Sequence, residues 1–246
     1  MSARLDGAGT SEAVWRRWPG PAAWPLFTPP ACPRFVVVAP HPDDEALGVG
    51  GALRLLRDAG RTVQVVAVTD GEGSHPASRV RSPADLGARR RRERAEALAR
   101  LGLADAAVRE LGLPDGGVAS HELDLRRSLA AVLDATACCL VTWRHDGHPD
   151  HEAAGRAAAA ACAATGATLV EYPVWMWHWA GPGDRRVPWS AARRVDLPPA
   201  VRAAKAGALR AFTTQVRPLG TGPGDADILP PRVLERFRRP FEAVFG

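Results

Sequence analysis

Two short stretches carry enough ionisable side chains at close spacing to hold a metal ion. The first, HPDDE at 41–45, places His41, Asp43, Asp44 and Glu45 directly behind the apolar run FVVVA at 35–39. The second, GHPDH at 147–151, places His148 and His151 behind CCLVTW at 138–143. A neutral imidazole and a carboxylate are ordinary ligands for zinc or a related divalent ion. Three adjacent acids would repel one another unless some were neutralised, and a cation does that. Pro42 fixes the backbone after His41, so a turn into a helix starting near Glu45 brings His41 and Asp44 round to a common centre. Pro149 suits a first helical turn and sets His148 and His151 near one helical face, where one can ligate while the other faces substrate. Each cluster alone has an ordinary alternative, a His-rich surface turn or acids placed on a helix dipole. Together they give His41, Asp44 and His151 as a three-ligand set with an open fourth position. That is the composition of a hydrolytic site, since structural zinc is usually closed by four ligands and rich in cysteine.

Both clusters need a frame that brings two strand ends together. Apolar runs at 35–39, 63–68, 107–111, 138–143 and 168–174 are continuous rather than alternating, as expected for strands covered on both faces. Helical patterns fall between them, over 45–59, 84–101, 123–135 and 150–164. Repeated β then α predicts an α/β fold, a Rossmann-like, mostly parallel sheet flanked by helices, with ligands beyond the carboxyl ends of the strands. The expected organisation is one domain over 1–246: an extended proline- and tryptophan-rich arm at 1–33, a core at 34–174, and a loop-rich, irregular part at 175–246 with one short helix near 199–210. GVGG at 48–51 is no dinucleotide fingerprint, because the turn itself holds acids that would repel a pyrophosphate.

Composition narrows the function classes. The 246 residues are 46% hydrophobic, enough for one sizeable core. No stretch approaches 18 uninterrupted apolar residues and no signal-peptide pattern opens the chain, so a cytoplasmic protein without membrane association is expected. The four cysteines have neither CxxC spacing nor a disulfide ladder and read as free thiols. The net charge of +5 comes largely from arginine, with a run at 89–94, but no interleaved aromatic residues suggest nucleic-acid binding.

PHPDDE followed by GHPDH resembles the PIG-L/LmbE-like family of zinc-dependent N-deacetylases, and the likeness runs over roughly 34–174. The resemblance implies that His41, Asp44 and His151 hold zinc, that Asp43 is the general base and then acid, and that His148 stabilises the oxyanion. RRRERAEALARLG is similar to a family helix that makes Arg90 a candidate sugar contact, and ELGLPDGG makes Asp115 another. TDGEGSH at 69–75 lies at a strand end and suits a pocket lining, with His75 at the rim. Some members carry a tyrosine where this chain has Asp146, which leaves open what assists His148. KAGALRAFTTQ resembles a further segment and makes Gln215 a pocket candidate, with Phe212 where a histidine often appears. The implied reaction is hydrolysis of the N-acetyl amide of an N-acetylglucosamine-containing small molecule, a glycoside or amino-sugar conjugate. It leaves room for a homo-oligomer. The alternatives are a metal-dependent amidase or esterase on a non-sugar substrate, and a metal-binding module without catalysis. Tyr172, Trp175, Trp177, His178 and Trp179 offer aromatic faces that could stack on a sugar or an apolar aglycone, and tryptophans packing the arm onto the core explain them equally well.

Overall fold

A computed structural model describes residues 7–246, so residues 1–6 of the arm lie outside the described part. Its frame is a seven-stranded sheet in the order β3-β2-β1-β4-β5-β7-β6. The first five strands are β1 (Arg34–Ala39), β2 (Thr62–Ala67), β3 (Ala107–Glu110), β4 (Ala137–Thr142) and β5 (Thr168–Tyr172), all parallel. Side chains of β1 divide between two cores: Phe35 and Val37 enter the larger one, Val36 and Val38 the other. A strand that must bury both faces reads as an unbroken apolar run. The exception is β3, expected to be covered on both faces, whose four residues are all exposed. It lies at the sheet edge, with β2 as its strand neighbour.

Strand order reverses between β1 and β4: the chain leaves β1 towards β2 on one side and returns to pair β4 with β1 on the other. A crevice opens at such a switch point, beyond the carboxyl ends of the strands. Both acidic histidine clusters follow these two strands. No helix among the described residues is long and apolar enough to cross a membrane.

The segment before β1 forms two short helices, α1 (Glu12–Arg17) and α2 (Gly20–Ala23), rather than a wholly extended path. Its tryptophans lie against the core. Trp15 meets Trp177 edge-on at 5.0 Å, and Trp24 stacks on Trp189 at 5.7 Å. Packing therefore accounts for Trp177, whereas Trp175 and Trp179 stay partly exposed.

Helix α3 (Asp44–Asp58) follows β1 and breaks at Val49, where φ/ψ is −136°/16°. Two glycines of GVGG permit close packing on either side of this break. A Cβ on Gly48 would lie 2.2 Å from the Tyr172 ring, and one on Gly51 would lie 2.4 Å from Leu197. Glu242 accepts the N–H groups of Gly51 and Ala52 at 2.7 and 2.8 Å, while Lys205 donates to the Leu47 carbonyl at 2.7 Å and to Glu242 at 2.5 Å. A buried ion pair thus replaces the helical hydrogen bonds that the kink releases. Removing one partner leaves the other charge buried and unpaired. Lys205→Met or Glu242→Gln is therefore expected to lower unfolding free energy by about 3–5 kcal/mol in denaturant titrations. A loss under about 1 kcal/mol, the worth of an exposed pair, would contradict this role.

Helix α4 (Pro83–Arg100) follows β2, α5 (Glu122–Ala130) follows β3, and α6 (Pro149–Thr165) follows β4. Alanines 153, 154, 157, 158 and 161 of α6 are all buried, and a Cβ on Gly155 would lie 2.7 Å from the Arg144 backbone. Small side chains let this helix approach the loop that leaves β4 closely. After β5 come α7 (Met176–Trp179), α8 (Pro199–Leu209) and α9 (Thr213–Val216). The part expected to be irregular also contributes β6 (Ala192–Asp196) and β7 (Phe241–Phe245), antiparallel strands that extend the sheet beyond β5. A backbone bridge from Leu26 to Arg194 lies on the outer side of β6.

Candidate metal centre

His41 Nδ1, Asp44 Oδ2 and His151 Nε2 form a nearly equilateral triangle. The edges are 3.3 Å from His41 to Asp44, 3.2 Å from Asp44 to His151 and 3.2 Å from His151 to His41. Tetrahedral zinc with bonds of about 2.0–2.2 Å separates its ligand atoms by about 3.3–3.6 Å, so these three donors fit such an ion. Asp44 Oδ2 also accepts the His41 backbone N–H at 2.9 Å, which holds the turn closed. Each imidazole presents its remaining nitrogen to a carboxylate. His41 Nε2 lies 3.2 Å from both Asp115 and Asp150, and His151 Nδ1 lies 2.8 Å from Asp146. Such partners fix the tautomer and leave the opposite nitrogen free to ligate.

Without a metal the triangle holds protons instead. Burial opposes charge on His151, yet Asp44 and Asp146 outweigh it and raise the His151 pKa to about 9. His41 is likewise raised despite burial, through Asp115, Asp150 and Asp44. Burial would raise Asp44, but its two histidine neighbours hold it below the usual carboxylate range.

Asp43 stands beside the triangle and contributes no atom to it. At φ 146° it is the one non-glycine residue with positive φ among those described. It is 4% exposed, and no described group hydrogen-bonds its carboxylate. Burial and the charge of Asp44 push its pKa well above the usual range, with Arg90 pulling the other way. The turn is steadied by Glu45, which accepts the Asp43 N–H at 3.2 Å and is itself raised to about 7 by burial.

His148 caps α6: its Nδ1 accepts the Asp150 N–H at 3.2 Å. A ring nitrogen of His148 lies within 4.8 Å of those of His41 and His151, a looser fit than the triangle. Burial and the two neighbouring histidines lower its pKa to about 3. With Nδ1 accepting, neutral His148 carries its proton on Nε2 and offers a donor there.

Other candidates fall at varied distances from the chemistry. Asp115 Oδ2 accepts the Gly73 N–H at 2.9 Å while Oδ1 faces His41, so its carboxylate steadies that imidazole as well as the loop. Arg90 is buried, donates Nη1 to the Gly71 carbonyl at 2.8 Å, and keeps Nε and Nη2 without partners among the described residues. Gln215 donates to the Pro42 carbonyl in the HPDDE turn, and Phe212 is fully buried. His75, expected at a rim, is 8% exposed and lies 3.0 Å from the Ala226 carbonyl. Asp150 was not singled out from the sequence. It accepts the N–H groups of Gly116 and Val118 at 2.7 and 3.1 Å besides facing His41. Its place between His148 and His151 in HPDH was the available signal.

Residues 36–162 match the family model described as PIG-L, GlcNAc-PI de-N-acetylase. A probable N-acetyl-alpha-D-glucosaminyl L-malate deacetylase 2 of Bacillus cereus is 33% identical over 128 residues, 50% of this chain and 57% of the relative. A 1D-myo-inositol 2-acetamido-2-deoxy-alpha-D-glucopyranoside deacetylase 2 of Saccharopolyspora erythraea is 34% identical over 148 residues, covering 50% of this chain and 53% of the relative. The chain thus spans about half the length of the curated relatives it matches. Among solved structures, the A40926 pseudoaglycone deacetylase Dbv21 superposes with a TM-score of 0.60 at 20% identity, over 87% of this chain and 96% of that one, and so shares the fold.

Proposed function

Because this chain belongs to the PIG-L, GlcNAc-PI de-N-acetylase family, we propose that it is a zinc-dependent N-deacetylase of N-acetylglucosamine-containing small molecules. The observation that carries this reading is the triangle of His41, Asp44 and His151 donors with an unligated, buried Asp43 at its side. A bound zinc ion supplies a Lewis acid that polarises the acetyl carbonyl and acidifies water towards a pKa of about 7.

Asp43 takes the proton of the attacking water and returns it to the departing amine. Its carboxylate is buried and makes no hydrogen bond to the described residues, which leaves it available for both transfers. His148 donates its Nε2–H to the oxygen that gains charge as water adds to the carbonyl. Its cap hydrogen bond fixes the ring, and its low basicity keeps it neutral, so the donor needs no protonation event. Arg90 offers the unpaired edge of its guanidinium to sugar hydroxyls, and Asp115 limits the approach from the other loop. The acetyl group and sugar are read from both curated relatives, each named as a deacetylase of an N-acetylglucosaminyl or 2-acetamido-2-deoxyglucoside compound.

The test is release of free amine from a panel of N-acetylglucosaminyl compounds, from simple glycosides to glycosylated natural products. Turnover of at least one, abolished by chelator and restored by zinc, is the expected result. An inert panel with zinc bound would remove the sugar and leave a hydrolase acting on another amide or ester.

A further inference from the structure

Asp146 lies fully buried between the loop after β4 and the segment after β5. Its Oδ1 accepts the backbone N–H groups of Val174 and Met176 at 3.0 and 2.9 Å. Its Oδ2 accepts the Trp175 N–H at 2.8 Å and faces His151 Nδ1 at 2.8 Å. Three consecutive amides and one imidazole therefore converge on a single carboxylate. The Asp146 carbonyl in turn accepts Trp179 Nε1–H at 2.6 Å. The far side of the same segment is held by the N-terminal arm: the Thr10 N–H and hydroxyl bond the His178 and Ala180 carbonyls at 2.8 and 2.7 Å, and Trp15 Nε1–H bonds the Trp177 carbonyl at 3.0 Å.

We propose that Asp146 is a positioning residue that clamps His151 to the tryptophan-rich segment 174–179, fixing the Nδ1–H tautomer and aiming Nε2 at the metal. This rests on the metal reading above and goes beyond it, because it gives the arm and the tryptophan segment a role in holding a ligand. Four donors require an acceptor at every side of the carboxylate. An asparagine of the same shape brings an NH₂ group against donors whichever way it turns. Turned towards His151, it drives the imidazole to the other tautomer and points an N–H at the metal.

Zinc uptake by the parent protein, followed by competition with a chromophoric chelator, tests the metal reading alone. The ratio of parent to Asp146→Asn affinity tests the clamp. Loss of an outer partner of a metal-bound histidine typically costs about 10–100-fold in affinity, and that drop is expected here in a variant with unchanged circular dichroism. Folded Asp146→Asn protein with parent affinity would overturn the proposal. Should the variant fail to fold, nitrogen-15 histidine spectra of the zinc-loaded parent decide. A His151 ring protonated at Nδ1 and slow to exchange is expected, whereas an Nε2–H tautomer overturns the clamp.

Discussion

Asp43→Asn protein is expected to bind zinc as the parent does and to lose about 10²–10⁴-fold in kcat, the usual contribution of general acid–base catalysis. Asparagine is the informative replacement, since it tolerates positive φ better than most residues and so preserves the turn that brings His41 to Asp44. It also keeps the volume of a side chain that is 4% exposed. What disappears is the ability to accept and return a proton. Steady-state kinetics on the substrate found in the amine-release panel, beside a metal analysis of the same sample, separate the two functions. Near-normal turnover would remove Asp43 from the mechanism, and loss of zinc would make it a ligand instead.

The second large effect concerns the triangle itself. Asp44→Ala and His151→Ala each delete one of three donors, and each is expected to weaken zinc binding by more than the roughly 10–100-fold that an outer partner is worth. Full zinc occupancy in both variants would sink the ligand set. The parent protein adds a pH signature. In the metal-free protein His151 is protonated up to about pH 9, and His41 is raised as well. A ligating nitrogen must shed that proton, so zinc uptake at pH 7 should release protons and the affinity should climb as pH rises towards 9. Titration calorimetry in buffers of different ionisation enthalpy reads the proton release. Uptake with no net release at pH 7 would mean that these nitrogens are not the ligands.

The parts of this arrangement visible in the sequence are those encoded locally. Five buried or edge strands announce themselves as apolar runs, and each ligand cluster sits within a few residues of one of them. The structure places β1 and β4 side by side, so two motifs far apart in sequence share one crevice. What stayed hidden depends on partners distant in sequence. ARRVD at 192–196 has two arginines and little apolar character, and becomes a strand because 241–245 pairs with it. FEAVF gains its place from β5 and β6 on either side. The helix break at Val49 could not be foreseen either, since its stabilising pair, Lys205 and Glu242, lies far down the chain. Asp146 carried a local signal only in its position before His148. Its hydrogen bonds to residues 174–176 exist only once β4 and β5 are neighbours.

The backbone at residue 43 sets conformational ease against chemistry. An aspartate held at φ 146° carries a cost of order 1–3 kcal/mol in every folded molecule, and glycine at the same place would carry almost none. Conformational stability alone would therefore favour glycine at this position. On the proposed mechanism an Asp43→Gly variant is expected to gain stability and lose turnover, so the two properties oppose each other at a single turn.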